Sequence, residues 1–326
     1  MQPFSAHFTS AKHEQELLGD QQVLALIAFE EVEAEPSADP RRATVALHQL
    51  GSPPKLEVWR SETAVESGVR GLVSFSRNDR VLFGHVAVDE REFPGLEAAS
   101  QHAYEAILPF AAQMGFPYYL RIWNYIPDIN GEEHGMERYR SFCIGRHQVF
   151  ERFAMPEQRM PAASGIGTRS GKLLVYFLAA RDAGIQLENP RQVSAFRYPP
   201  QYGPRSPSFS RAVVKDWNGS KHLYISGTAS IVGHESQHRE RVLPQLEESL
   251  HNMRTLIHNA QANHGVKIRT LAELSQIKVY VRDARDEGKI RDHLYAQVGE
   301  AAPVIYLSGD LCRGDLLVEV EGLYTG

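Results

Sequence analysis

The strongest constraint on this chain is that one order of elements is predicted twice, on either side of a proline-rich segment. That segment, Leu187 to Phe209, includes Pro199 and Pro200, which cannot lie inside a helix or a central strand. We therefore predict two domains, residues 1–187 and residues 188–326. A chain of 326 residues is long enough for each half to bury its own core.

The half after this segment is predicted to form a strand, a second strand, a helix and a third strand, in that order. Two β-rich runs flank Asn218-Gly219, which is a strong hairpin signal. The stretch from Val242 to Gly265 carries apolar residues at helical spacing, and Ile277 to Asp283 reads as a third strand. The chain then closes with another strand, DLLVEVEGLY.

The half before the segment shows the same order. A hairpin turning at Asn78-Asp79 is followed by the helical run GLEAASQHAYEAILPFAAQMG and by the strand YYLRIWNY. Gly84 and Gly227 occupy similar places in the two second strands. We interpret this match as an internal duplication. The predicted fold class is α+β, with two mixed sheets that each carry helices on one face.

Charge and cysteine content narrow the function classes. A net charge of -5 gives no overall attraction to nucleic acid or to an anionic membrane, so neither is expected as a partner. Only two cysteines are present, without a CxxC pair, which argues against a disulfide framework and fits the cytoplasm.

One motif has the letters of a zinc peptidase, His234 to His238 in the pattern HExxH. It begins directly after Gly233 and before the amphipathic helix starts, so we interpret it as a polar loop and a helix start. We therefore predict no metal site and no cofactor.

Two groups of charged residues carry more weight. Between Asn124 and Phe150, arginines alternate with aromatic residues, which fits either a carboxylate-binding cluster or a solvated loop with ion pairs. Near the end of the chain, Glu319 and Glu321 would share one face of a strand. That face would either meet solvent or line a closed cavity, where burial would turn a glutamate into a proton donor.

Longer runs of sequence support a family resemblance. The stretch YGPRSPSFSRAVVKDWNGSKHLYISGTASIVG and the ending CRGDLLVEVEGLY resemble the RidA/YjgF family, which implies two RidA/YjgF-like domains. The arginine of that family's imine deaminases has no counterpart in AAPVIYLSGDLC. The whole chain is more similar to the chorismatases, in RIWNYIPDIN, ERYRSFCIGR, GKLLVYFLAA, ENPRQVSAFRYPPQYGPRSPSFSRA, ISGTASIVGH and CRGDLLVEVEG.

The resemblance implies an activity and several roles. It makes Glu319 the acid that protonates the enolpyruvyl group of chorismate, without a cofactor. Cys312 and Gly227 match the branch that forms 3-hydroxybenzoate and pyruvate. For substrate binding we expect Arg140 and Arg211 to hold the two carboxylates, with Tyr139 and Tyr202 as further donors.

Several alternatives stay open at this point. The protein could also form 4-hydroxybenzoate, or it could hydrolyse chorismate to a dihydroxycyclohexadiene carboxylate and pyruvate. The non-enzymatic hypothesis is a RidA-like protein that binds small carboxylates without converting them. A monomer is expected, with a trimer as the alternative.

Overall fold

The computed structural model describes residues 2–31, 37–51, 53–169 and 171–326. The helices are α1 Glu14–Gly19, α2 Leu96–Gln113, α3 Arg138–Arg152, α4 Val242–His264 and α5 Glu287–Val298. The strands are β1 Phe4–Ser10, β2 Val23–Phe29, β3 Arg42–Val45, β4 His48–Leu50, β5 Lys55–Ser61, β6 Glu66–Arg70, β7 Val73–Arg77, β8 Val81–Asp89, β9 Tyr118–Pro127, β10 Glu132–Glu133, β11 Met136–Glu137, β12 Ala162–Thr168, β13 Lys172–Ala180, β14 Ile185–Leu187, β15 Ala212–Asp216, β16 Lys221–Ala229, β17 Ile231–Val232, β18 Glu235–Ser236, β19 Gln276–Val281, β20 Val304–Ser308, β21 Asp310–Leu311 and β22 Val318–Thr325.

The first large sheet has the strand order β21-β12-β9-β13-β8-β7-β6. Its central strand, β13, is an almost uninterrupted apolar run, as expected for a strand buried on both faces. Helices α2 and α3 cover one face of the sheet, where Ile107 and Phe142 are buried with Val175 and Phe177. The predicted hairpin, helix and strand of this half are confirmed.

The second large sheet has the order β14-β15-β16-β22-β19-β20-β4. Helix α4 packs on it through the predicted apolar stripe, which includes Leu246, Leu250 and Met253. The helix ends at Gly265, whose positive φ of 62° suits glycine at a helix C-terminus.

The two sheets have the same topology. In each, a hairpin is followed by a helix, a strand, a second helix and a parallel strand, and a last strand inserts between the earlier ones. Thus β13 lies between β8 and β9, just as β22 lies between β16 and β19. The predicted α+β class, with two mixed sheets that carry helices on one face, and the internal duplication are confirmed.

The free faces of the two sheets meet in a shared core. A third sheet, with the order β1-β5-β2-β3, completes this layer and is built from residues before position 62. The shared core contains aromatic residues from all three sheets, among them Trp59, Trp123, Tyr176 and Tyr280. Charged side chains are buried in this layer as well.

Two short strands pair across the predicted domain boundary. Strand β4 pairs with β20 of the second sheet, and β21 pairs with β12 of the first sheet. The division into residues 1–187 and 188–326 stays a proposal. Within the described ranges, no helix combines the length and the apolar character needed to cross a bilayer.

An irregularity in β16 shapes the space between the sheets. The register between β16 and β22 shifts between Ile225 and Thr228, so Ser226 and Gly227 together face Glu321. This is a β-bulge, which bends a strand and redirects its side chains.

Candidate active site

The last strand, β22, presents two glutamates to the layer between the sheets. Because side chains alternate along a strand, Val318 and Val320 pack into the core under α4, while Glu319 and Glu321 take the other face. Each glutamate is only 4% exposed. The question that the sequence left open is therefore answered, since this face is buried.

Four donors surround the Glu321 carboxylate. Its Oε1 accepts from Trp123 Nε1 at 2.7 Å and pairs with Lys278 Nζ at 3.1 Å. Its Oε2 accepts from Arg121 Nη2 at 2.8 Å and from Ser164 Oγ at 2.5 Å. Burial alone would raise the pKa of Glu321, but the cations of Lys278 and Arg121 and these hydrogen bonds outweigh it and lower the pKa. Glu321 is therefore ionised.

Glu319, two residues earlier, has the opposite environment. Burial and then the negative charge of Glu321 raise its pKa to about 8, against the opposing effect of Arg121 and Arg211. No hydrogen-bond donor in the described part of the chain stabilises its ionised form. At neutral pH Glu319 therefore carries a proton that it can donate.

Glu319 lies in the wall of a cavity of about 420 Å³. That volume lies within the usual range of small-molecule sites, about 300–1,000 Å³. The structure brings every residue that the sequence proposed for the site to this cavity, although their roles stay proposals: Tyr139, Arg140, Tyr202, Arg211, Gly227, Cys312 and Glu319.

Arg211 immediately precedes β15 and is a buried cation of the cavity wall. Its Nη2 donates to the carbonyl oxygen of Val193 and to the hydroxyl of Tyr198, both at 2.8 Å. Its guanidinium also lies over the rings of Tyr198 and Phe209. Among the described residues its buried Nε has no hydrogen-bond partner.

Arg140 also lines the cavity and lies in the first turn of α3. Its side chain is 40% exposed, and its Nε donates to Glu137 at 3.2 Å. An exposed pair of this kind is weak, so a carboxylate ligand competes with Glu137 for this guanidinium.

Cys312 and Tyr139 supply neutral polar groups beside the acid. Burial, and then the neighbouring Glu319, raise the pKa of the Cys312 thiol to about 12. Burial also holds the pKa of Tyr139 well above its usual range. Both groups therefore keep their protons, and Cys312 is not a thiolate nucleophile.

Gly227 leaves room for the Glu319 side chain. A Cβ atom at this position would lie 1.9 Å from Glu319 Oε1. Its φ is not positive, so the need for glycine here is one of space and not of backbone conformation.

Other charged residues of the segment from Asn124 to Phe150 serve the fold. A solvated loop was one of the two alternatives for this segment, but Arg138–Arg152 forms α3. Arg138 pairs with Glu133, as the ion-pair alternative proposed, and also with Glu90, which lies outside the segment. Arg146 is buried against the ring of Phe142 and does not reach the cavity.

The residues of the HExxH pattern lie on a hairpin and not on a helix. Glu235–Ser236 forms β18, which pairs with β17. His234 contacts the Tyr202 hydroxyl at 3.1 Å, whereas His238 pairs with Glu248 at 3.4 Å, so the two imidazoles have separate partners. The interpretation as a loop that leads into a helix is right in placing the motif before α4, although a short strand lies within it.

Comparison with known proteins agrees with this geometry. The family described as "Chorismatase FkbO/Hyg5-like, N-terminal" matches residues 57–179. A 3-hydroxybenzoate synthase of Streptomyces hygroscopicus is 37% identical over 286 residues, which are 83% of this chain and 81% of that protein. This chain belongs to the chorismatase family. A chorismatase of the same organism is 36% identical over 94% of this chain and 91% of its own length.

A solved structure extends the similarity to the whole chorismatase fold. The crystal structure of a chorismatase superposes with a TM-score of 0.91 at 33% identity, and the match covers 99% of each chain. The likeness therefore includes the first 60 residues, most of which precede the region that the family model matches.

Two cavity residues of this chorismatase-family chain were missed in the sequence. The Arg313 guanidinium lies 4.0 Å from the centre of the Tyr202 ring, and its Nη1 donates to the carbonyl oxygen of His234 at 2.9 Å. Tyr198 was missed as well, although it holds Arg211. Arg313 could have been found from its position, because it directly follows Cys312 in the run CRGDLLVE.

Proposed function

We propose that this chain is a chorismatase that converts chorismate to 3-hydroxybenzoate and pyruvate, with 4-hydroxybenzoate as a further product. The observation that carries the proposal is a buried Glu319, whose pKa is raised to about 8 by burial, in the wall of a cavity that Arg140 and Arg211 also line. The products together contain the same atoms as chorismate, at the same oxidation level. The reaction therefore has no net redox change.

The difficult step is protonation of the enol-ether methylene carbon, because carbon accepts a proton slowly and positive charge develops on the ether carbon. An acid whose pKa lies near the working pH is suited to this step. Glu319 gives its proton to the methylene carbon, and the carboxylate that remains stabilises the oxocarbenium-like charge. Arg140 and Arg211 hold the two carboxylates of the substrate, with Tyr139 and Tyr202 as additional donors.

The remaining residues direct the later steps. In the 3-hydroxy product the ether oxygen stays on the ring and the neighbouring hydroxyl group is lost from it. That hydroxyl oxygen adds to the oxocarbenium carbon and gives up its proton, and the bond from this carbon to the ether oxygen breaks as the ether oxygen takes a proton. The bond between the hydroxyl oxygen and the ring then breaks, pyruvate leaves with that oxygen as its carbonyl oxygen, and the ring carbon that bears the ether oxygen loses its proton. If the hydroxyl oxygen attacks the ring instead, it replaces the ether oxygen, which leaves with pyruvate. Cys312, as a neutral thiol, assists this attack. Formation of the aromatic ring then drives the reaction forward.

The test is to incubate the purified protein with chorismate and to measure pyruvate and aromatic acids by chromatography. We expect pyruvate together with 3-hydroxybenzoate. Pyruvate with a dihydroxycyclohexadiene carboxylate instead would identify a hydrolase, and saturable binding without pyruvate would identify a binding protein.

The variant Glu319→Gln tests the acid. It keeps the size of the side chain and removes the proton, so turnover should disappear while the fold persists. A matched control is Glu66→Gln on β6, where the same change affects an exposed carboxylate. Turnover near the wild-type rate in Glu319→Gln would show that another residue is the acid.

We also propose that the protein is a monomer, since the two sheets already bury their inner faces against each other within one chain. Light scattering after gel filtration should give a mass near 36.6 kDa. Three times that mass would instead support the trimer.

A further inference from the structure

Behind the cavity lies a buried set of four charges that the proposed chemistry does not use. Glu57 on β5, Arg121 on β9, Lys278 on β19 and Glu321 on β22 are all less than 5% exposed. Lys278 Nζ lies 2.8 Å from Glu57 Oε2 and 3.1 Å from Glu321 Oε1. Two acids and two bases from three sheets thus balance one another.

Such a network is expensive to bury. Each desolvated ion has a penalty of several kcal/mol, and well-packed apolar residues often stabilise a core as well or better. Its presence next to a catalytic cavity therefore calls for an explanation other than stability. The position of Glu321 provides one.

Glu321 is the member of the network that reaches the acid through a chain of contacts. Ser164 Oγ donates to Glu321 Oε2 and accepts from the backbone N–H of Gly227 at 2.9 Å. Gly227 in turn approaches the Glu319 carboxyl so closely that a Cβ atom there would lie 1.9 Å from Oε1. Through Ser164, the Glu321 carboxylate therefore holds the β-bulge at Gly227, which lies against the Glu319 carboxyl.

Glu321 is also the nearest negative charge along the strand. Residues two apart on one face of a strand lie about 7 Å from each other. The ionisable groups that act on Glu319, or on which Glu319 acts, come from five parts of the fold: Glu321, Arg121, Arg211, Tyr139 and Cys312. Among them Glu321 opposes ionisation, whereas the two arginines favour it.

We propose that Glu321 is a positioning residue for the Glu319 acid: the four donors around it fix one negative charge and, through Ser164, the Gly227 bulge beside Glu319. This inference rests on the proposed function, in which Glu319 is the proton donor. The fixed charge keeps the acid protonated at neutral pH, and the bulge keeps it pointed at the cavity.

The experiment is the pH profile of kcat/KM with chorismate in variants of the full chain. Activity requires the protonated acid, so in the wild type it falls as the pH rises through the pKa of Glu319. Glu321→Gln removes the nearby charge and leaves Arg121 and Lys278 in place. At an effective dielectric constant of about 20, removing a charge about 7 Å away moves this fall by about one to two pH units toward acid.

Glu57→Gln is the matched control. This variant makes the same substitution in the same buried network. The Glu57 carboxylate that it removes contacts Trp59 and Lys278 and not Ser164. We expect its profile to move less than half as far. Ser164→Ala keeps every charge and removes the link to Gly227, together with one neutral donor to Glu321 and one acceptor for Arg121. Because the charges remain, kcat should fall while the profile stays close to that of the wild type.

The outcomes separate the hypotheses. If Glu321→Gln lowers activity by one factor at every pH, its role is structural and the inference is wrong. Equal shifts in Glu321→Gln and Glu57→Gln would also overturn it, because net charge and not placement would then matter. If Glu321→Gln does not fold, wild-type kcat in Ser164→Ala overturns the link to Gly227.

Failure of the proposed function looks different. In that case Glu319→Gln retains turnover, whatever the Glu321 variants do. An inactive Glu319→Gln together with an unmoved Glu321→Gln profile refutes the role of Glu321 alone.

Discussion

Replacing Gly227 with alanine should displace the acid by a distance that the structure defines. The added Cβ would lie 1.9 Å from Glu319 Oε1, 2.9 Å from its Cδ and 2.9 Å from Ser164 Oγ. Atoms at Cβ essentially never approach others within 3.0 Å, so the Glu319 carboxyl must move by about 1 Å or more. Because the carboxyl is the end of a flexible side chain, it moves more readily than the backbone.

The energetic consequence differs between catalysis and folding. A misplacement of about 1 Å at a reacting group reduces turnover by about 10²-fold, or about 3 kcal/mol of barrier. Overpacking by one methyl group lowers the free energy of unfolding by about 1–3 kcal/mol. The variant should thus remain folded and be nearly inactive.

The product ratio should change as well. Attack by the substrate's own hydroxyl group depends on where the acid holds the side chain, whereas attack by water does not. The fraction of hydroxybenzoate should therefore fall more than total pyruvate does. Chromatography of both products, with unfolding measured in denaturant, is the assay.

Gly84→Ala is the control, because Gly84 is the glycine at the similar place in the first half. A Cβ there would lie 2.5 Å from the ring of Phe177, away from the cavity. We expect lower stability and unchanged turnover per folded molecule. The reasoning is refuted if Gly227→Ala keeps wild-type turnover and product ratio, or if Gly84→Ala loses activity to the same extent.

Further predictions concern protonation and binding. Wild-type turnover should fall as the pH rises through about 8, because Glu319 then loses its proton; a profile that is flat up to pH 9.5 would contradict this. The same folded-state pKa lies above the unfolded value of 4.5, so the free energy of unfolding should fall between pH 4.5 and 8. Glu319→Gln lacks that fall and should be the more stable protein at pH 9 in urea titrations. Cys312→Ser should lower the hydroxybenzoate fraction while pyruvate formation continues, as measured by the same chromatography. Arg211→Lys loses a forked donor and should raise KM by about tenfold or more, with a smaller effect on kcat.

The elements that could be predicted from sequence are those whose pattern is local. The hairpin at Asn218-Gly219 and helix α4 follow from a turn dipeptide and an apolar stripe, and both are confirmed. Repetition of these patterns was sufficient to infer the duplication. Each repeat unit is longer than the predicted order of strand, strand, helix, strand, since a second helix and a parallel strand follow and a last strand inserts. In the second half that last strand, in DLLVEVEGLY, was predicted.

Helix α3 could not be predicted because tertiary contacts define it. Its sequence mixes arginines and aromatic residues, and no side chain caps its N-terminus. It packs closely on α2, where a Cβ at Gly145 would lie 2.2 Å from the carbonyl oxygen of Glu97. Such an approach depends on a partner helix and leaves little trace in local periodicity. The same holds for the third sheet, whose strands come from residues before position 62, for which no element was predicted.

The site was predictable in its members but not in its electrostatics. Strand alternation placed Glu319 and Glu321 on one face, yet sequence could not decide whether that face was buried. The answer depends on Arg121 and Ser164, which belong to the other sheet and lie more than 150 residues away along the chain. No local pattern connects those positions.

What distinguishes the two glutamates is therefore the partner that each meets and not the strand that carries them. Glu321 faces four donors, two of which are cations, so its charge is stable in the core. Glu319 faces a cavity and the charge of Glu321, so the neutral acid is favoured. Two chemically identical side chains thus have different protonation states: Glu321 is a fixed anion and Glu319 is a proton donor. The two states favour each other. An ionised Glu321 raises the pKa of Glu319. A neutral Glu319 in turn avoids repulsion between two buried negative charges.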